Sequence, residues 1–252
     1  MYEKIKNKII GNVGLGNEKN RDKWLEKVIN DIPNQSKILD AGAGELKYEK
    51  FCSHLDYTSQ DFGKYTVEGN DEGKQTVNWD NSKIDIVSDI IDIPLPDKSF
   101  DAIMCVEVFE HIAEPVKAVK QFERILKPGG VLILTAPFCS ITHFAPYYFA
   151  NGYSKYWYEK ILKDYNFIID ELVYNGNYFE YIAQEIHHLP RVEDRYSASH
   201  LVRSFFGKIT RFLMLAILNR ASKQNSKSEE LLCFGLQVLA HKKIKHDPVV
   251  KF

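Results

Sequence analysis

The chain has 252 residues, 44% hydrophobic and 13% aromatic, which is enough to bury one sizeable core. Its 33 basic residues nearly balance 34 acidic ones, so no global field exists to hold DNA, and the same balance argues against RNA. The four cysteines (Cys52, Cys105, Cys139, Cys233) are widely spaced and form no C-x-x-C pair, which speaks against a zinc knuckle and for reduced thiols in the cytoplasm.

Residues 1–10 mix lysine, glutamate and isoleucine and lack an apolar signal core. No stretch reaches the roughly 20 apolar residues of a membrane span. After a glycine-bearing entry loop, residues 21–30 place Trp24, Leu25, Val28 and Ile29 on one helical face, and Pro33 ends that helix. Residues 37–46 then run from an apolar strand into Asp40-Ala41-Gly42-Ala43-Gly44 and on to helical spacing, the pattern of a parallel strand–turn–helix unit. Two glycines allow a sharp turn and a close backbone approach to a ligand. A dinucleotide fingerprint would need glycine at position 47, where Lys47 stands, so the loop suits a nucleoside without a phosphate chain.

Residues 55–61 read as a second strand ending in Asp61 and then Phe62. An acidic side chain at that edge can accept both hydroxyls of a ribose. Gln60 stands one position before it, and a strand-capping aspartate in solvent is the plain alternative. Residues 63–83 are polar and rich in Gly, Asn and Asp, and read as a loop or short hairpin with Trp79 as an anchor. A third strand at 84–88 leads into Asp89, Ile90 and a proline-bearing turn. A fourth, 101–106, ends at Val106, followed at once by Glu107, Glu110 and His111. The i, i+3, i+4 spacing puts those three on one face if the segment is an α-helix. Pro115 opens another helix, and Lys127-Pro128-Gly129-Gly130 turns into a fifth strand. A helix follows from Ser154 to Tyr165, then a sixth strand at 167–173, a largely helical stretch from 180 to 219 and a last strand at 232–240.

Residues 36–138 together resemble the class I, seven-stranded S-adenosylmethionine (SAM) methyltransferases. The carrying segments are Ile38–Gly44, Asp61 at its spacing from Gly42, the run from Asp89 to Asp101, and the Pro-Gly-Gly turn before the fifth strand. The resemblance implies an α/β, Rossmann-like three-layer sandwich with sheet order 3-2-1-4-5-7-6 and an antiparallel last strand. It implies one domain, with a core at about 21–173 and 231–242 and a helical lid at about 174–230. For SAM it implies contacts from Asp40, Ala41, Gly42, Gly44, Asp61, Phe62, Asp89, Ile90, Val106 and Glu107, with Asp89 accepting from the adenine amino group.

SAM is already a strong electrophile, so the protein mainly aligns the reacting atoms, and a histidine can take the acceptor's proton. His111 and His143 are the candidates, with Tyr147 and Tyr148 nearby. The spacing Glu107, Glu110, His111 with a later His143 also resembles the metal site of methyltransferases acting on the 3′ end of plant small RNAs. Oxygen and imidazole donors suit Mg²⁺ or Mn²⁺, while ordinary residues at a helix start are the alternative. His187 and His188 read as surface residues.

The expected activity is methyl transfer to oxygen or nitrogen of a small molecule. RNA methylation and non-catalytic SAM binding are the alternatives. Residues 191–227 hold eight basic and two acidic residues, with Leu201, Phe205, Ile209, Phe212 and Ala216 at helical spacing. That pattern fits an anionic or lipid-linked acceptor and peripheral membrane contact, or a helix that buries its apolar face and solvates its charges.

Overall fold

The apolar runs at 37–41, 100–106 and 131–137 become neighbouring parallel strands because nearly all of their residues are buried and they have little polar side to give to water. The structure, a computed structural model, describes residues 9–63 and 82–244. The polar stretch expected as a loop, with Trp79, falls mostly outside these residues. The central strand β1 (Lys37–Ala41) pairs in parallel with β2 (Asp56–Asp61), Ile38 opposite Tyr57, and with β4 (Phe100–Val106), Asp40 opposite Met104. Strand β3 (Ile86–Val87) adds to β2, with Asp61 opposite Val87. Strand β5 (Leu126–Pro137) follows β4, with Phe100 opposite Leu126 but Ala102 opposite Val131. The jump takes Lys127-Pro128-Gly129-Gly130 out of the ladder, so the expected turn lies as an irregularity inside one long strand, with Gly129 at φ +78°. With β6 (Phe167–Asn175) and β7 (Gly235–Lys242) the seven strands run β3-β2-β1-β4-β5-β7-β6, the last antiparallel.

Helix α1 (Asn17–Asn30) lays Trp24, Leu25, Val28 and Ile29 against Ile38, Met104, Val106 and Ile133. Helix α2 (Pro115–Ile125), opened by its proline, buries Ala118, Val119, Phe122 and Ile125. Its Arg124 also donates to the carbonyls of Ile93 (2.9 Å) and Leu95 (2.6 Å), fixing the turn after Asp89. Helix α3 (Lys155–Asp164) buries Tyr158 and Leu162.

The chain divides into two compact units, Lys23–Val173 with Leu236–Phe252, and Met1–Asp22 with Tyr174–Gly235. The second holds α4 (Tyr178–Tyr196) and α5 (Phe205–Lys223), so the expected helical stretch is interrupted at residues 197–204. Residues before α1 belong to this unit. Ile10 and Val13 pack with Ala183, Ile186 and Leu215, and the Gly14 N–H donates to Glu180 at 2.7 Å. His187 is half-buried with Nε2 3.0 Å from the Val13 carbonyl, which corrects its reading as a surface residue; His188 pairs with Glu185.

Candidate functional site

The turn after β1 is held open by its own backbone bonds. The N–H groups of Gly42 and Ala43 both donate to the Gln60 carbonyl, at 2.8 and 2.9 Å. Gly42 has φ +81°, and a Cβ there would lie 2.6 Å from a Val108 methyl. Both features require glycine. Gly44 (φ +52°) donates its N–H to Asp61 Oδ2 at 2.9 Å, and Gly63 donates to Oδ1 at 2.9 Å. The buried Asp61 carboxylate is thus aimed by two backbone donors, and each oxygen retains a lone pair for a further donor.

Alternation along β2 separates Gln60 from Asp61. Gln60 Nε2 donates to the Ser88 carbonyl at 2.7 Å, across the sheet, while Asp61 serves the loop. Asp89 is exposed and its Oδ1 accepts from the Ile91 N–H at 3.1 Å, while Ile90 is buried. Ala41 and Val106, at the ends of adjacent strands, are buried.

The segment after β4 is not the α-helix that the spacing suggested. Glu107 has φ +55° and its N–H still bonds the Thr135 carbonyl at 2.9 Å, after which only one 3₁₀ turn, Phe109–His111, forms. The Thr135 hydroxyl donates to Glu107 at 2.9 Å, and Glu107 is not in the group that converges. Glu110, His111 and His143 do converge. Their ligand atoms lie within 4.8 Å of one another, with Nε2 of each histidine 3.8 Å from Glu110 Oε1. The Tyr147 carbonyl takes the Nδ1–H of His111 (2.6 Å) and the Ile141 carbonyl takes that of His143 (2.9 Å). A carbonyl can only accept, so both rings donate through Nδ1 and turn Nε2 toward the carboxylate. Burial is the main cause that lowers the His111 pKa to about 4, against the Tyr147 hydrogen bond and with help from His143.

The loop between β5 and α3 brings His143 here. Its backbone bonds the Glu110 carbonyl through Phe149 N–H at 2.8 Å, and Tyr153 bonds the carbonyls of Pro137 through its N–H and Phe109 through its hydroxyl, both at 2.8 Å. The same loop presents Tyr147 edge-on to Phe62, ring centroids 5.8 Å apart. The Asp61 corner and the histidine pair are therefore joined by one ring contact and one hydrogen bond.

Residues 39–134 match the family described as a methyltransferase domain. A SAM-dependent methyltransferase from Archaeoglobus fulgidus superposes with a TM-score of 0.55 at 15% identity, covering 96% of this chain and 99% of that one. Residues 39–134 are a methyltransferase domain, in the fold of the SAM-dependent methyltransferases. Among curated relatives, a tRNA (carboxymethyluridine(34)-5-O)-methyltransferase of Arabidopsis thaliana is 25% identical over 119 residues, 45% of this chain and 27% of the relative. A demethylmenaquinone methyltransferase of Clavibacter sepedonicus is 29% identical over 100 residues, 39% of this chain and 40% of the relative. The chain spans about a quarter or less of the length of the first relatives it matches.

Within this methyltransferase domain, two residues that sequence reasoning missed support the named ones: Thr135 under Glu107, and Tyr57, whose hydroxyl donates to Asp40 at 2.7 Å. Only strand alternation hinted at Tyr57, since it lies on a face with Asp61. Asp40 is buried, which raises its pKa to about 7; the Tyr57 hydrogen bond opposes this and the charge of Asp61 adds to it. Below pH 7 the folded protein keeps this proton, whereas an unfolded aspartate loses it near pH 4. Stability should therefore fall as pH rises between those two values. Asp40→Asn is expected to flatten that slope in denaturant titrations from pH 4 to 7.5. An unchanged slope would remove Asp40 as its source.

Proposed function

We propose that this protein transfers the SAM methyl group to an oxygen or nitrogen of a small-molecule acceptor, with His111 and His143 at the reacting atoms. The observation that carries this reading is the connection from Asp61 through Phe62 and Tyr147 to two histidines whose Nε2 atoms converge on Glu110. In the reaction the acceptor's lone pair forms the new C–O or C–N bond as the S–CH₃ bond breaks. The acceptor's proton passes to an Nε2, and S-adenosylhomocysteine leaves. A pKa of about 4 leaves His111 too weak a base to keep that proton, so His143 takes it and His111 orients the acceptor.

The donor set also fits a divalent cation. Two imidazoles anchored through Nδ1 to carbonyls, with a carboxylate between their free nitrogens, is the outer support that metal-binding histidines use. Glu110, His111 and His143 would hold it; Glu107, engaged by Thr135, is not part of the convergent set. Such an ion would polarise the acceptor oxygen and ease its deprotonation. RNA is the second reading, favoured by the Arabidopsis relative, whose name gives a tRNA substrate.

Calorimetry tests the cofactor half of the proposal. SAM and S-adenosylhomocysteine should both release heat with the wild type, and Asp61→Ala should weaken SAM by roughly 10- to 100-fold through lost ribose acceptors. No heat with either ligand would sink the reading. Labelled-methyl transfer to extract fractions, split into small molecules and RNA, then decides the acceptor class.

A further inference from the structure

Helix α5 turns its apolar face outward. Leu215 and Asn219 are its buried residues, and Asn219 Nδ2 donates to the Ile9 carbonyl at 2.7 Å, marking the side that packs on its own unit. Phe212, Ala216 and Leu218 lean on that same core. On the opposite side Phe206 (78% exposed), Ile209 (41%), Leu213 (54%) and Ile217 (68%) form a continuous stripe at spacings of three, four and four. Phe205, the first residue of the helix, and Leu201 before it, at 73% and 75%, extend the stripe. Single exposed apolar residues are ordinary, but a stripe the length of a helix marks a surface that meets something apolar.

The charges say what kind of surface. Lys208, Arg211, Arg220 and Lys223 lie on α5, and the helix has no acidic residue. The two acidic residues of the 191–227 segment are already engaged. Glu193 accepts from the N–H groups of Val202 and Arg203 at 2.8 and 3.0 Å, and Asp194 pairs with the Arg203 side chain. A second copy of this helix would bring cations against cations with no carboxylate between them, because a two-fold contact opposes like surfaces. Among the described residues no helix is long and apolar enough to cross a membrane. An apolar stripe with a purely cationic complement is the makeup of a helix lying in the headgroup layer.

We infer that α5 docks the protein onto an anionic lipid surface, with Phe206, Ile209, Leu213 and Ile217 entering the acyl boundary. This goes beyond methyl transfer and does not rest on it. The test is sedimentation of the full chain, without SAM, with vesicles of phosphatidylcholine alone or mixed with phosphatidylglycerol. The wild type should pellet with the mixed vesicles and only weakly with phosphatidylcholine. Binding should weaken as salt shortens the Debye length from ~30 Å to ~8 Å. Phe206→Ser with Leu213→Ser should lower the partition coefficient about tenfold or more at unchanged thermal stability, since both side chains stand in solvent. Arg220→Glu with Lys223→Glu should lower it by a factor of about five or more for each charge and remove much of the salt dependence. Three results would overturn the inference: no binding to anionic vesicles, binding indifferent to the apolar pair, or self-association that the apolar pair abolishes.

Discussion

Gly42→Val is expected to abolish SAM binding, with affinity falling about 100-fold or more at an otherwise intact fold. The cause lies in two independent terms at one atom. Gly42 sits at φ +81°, where a β-branched residue costs on the order of 1–3 kcal/mol. Its Cβ would also lie 2.6 and 2.8 Å from the two Val108 methyls, so the segment carrying Glu107 and Val108 must move away from the loop. That movement would pull Gly44 from Asp61 and spoil the corner proposed for the ribose, and each 1.4 kcal/mol lost is a further factor of ten in affinity. The terms separate by experiment. Gly42→Ala with Val108→Ala relieves the overlap but not the backbone strain, so calorimetry should show partial recovery over Gly42→Ala alone. Circular dichroism on the same samples checks the fold. Parent-like SAM affinity in Gly42→Val would place the cofactor elsewhere.

The parts of this fold that sequence made legible are those whose signal is local. The run Lys37–Ala41, the glycines at 42 and 44 and the Pro-Gly-Gly before Val131 each encode a strand end or turn in their own residues. The different places of Gln60 and Asp61 became visible only through pairing, because alternation sends Gln60 to Ser88 and Asp61 to Gly44. The spacing of Glu107, Glu110 and His111 misled because it presumed an α-helix. A hydrogen bond from Glu107 N–H to Thr135 keeps that residue in the sheet ladder one position longer, and no local pattern reports such a bond. His143 reaches His111 through a loop without periodicity, tied down by contacts to Phe109 and Glu110 more than thirty positions earlier. The affiliation of residues 9–16 with α4 and α5 rests on bonds such as Gly14 to Glu180, 166 positions apart. A nearer signal was present there: Asn177 and Glu180 stand three apart, as in a helix capping box, and Asn177 Oδ1 does accept from the Phe179 and Glu180 N–H groups.

The outward stripe of α5 shows the same limit from the other side. Periodicity located an apolar and basic helix correctly, but it could not say which way the helix faces. The half-turn occupied by Leu215 and Asn219 packs inward because Asn219 finds the Ile9 carbonyl and Leu215 finds Val13 and Ala183. Those partners come from the chain's beginning. Of the apolar residues read at helical spacing, Phe212 and Ala216 do pack on this core, while Leu201, Phe205 and Ile209 stand in solvent.

Removing the two histidines is expected to separate chemistry from cofactor binding. His143→Ala should lower kcat by roughly 10²- to 10⁴-fold, the usual contribution of a positioned acid–base group, while SAM affinity stays within about twofold. His111→Ala should lower kcat as well, but through orientation. Its Nδ1–H holds the Tyr147 carbonyl, and the Tyr147 ring meets Phe62, so a modest loss in SAM affinity should accompany it. His111→Asn, whose amide can still donate to Tyr147, should restore affinity and recover only part of kcat. The pH profile adds a third readout. With a pKa near 4, His111 stays neutral down to about pH 5, so the acidic limb of kcat should not carry its titration and should persist in His111→Asn. Exhaustive chelation distinguishes the two versions of the site. If Glu110, His111 and His143 hold a divalent cation, EDTA should remove turnover in the wild type, leave SAM affinity unchanged, and have no further effect on a Glu110→Gln variant already lacking the ion. Turnover that survives chelation leaves His143 acting as a metal-free base, and loss of SAM binding in the His143→Ala variant would show that this histidine belongs to the cofactor site.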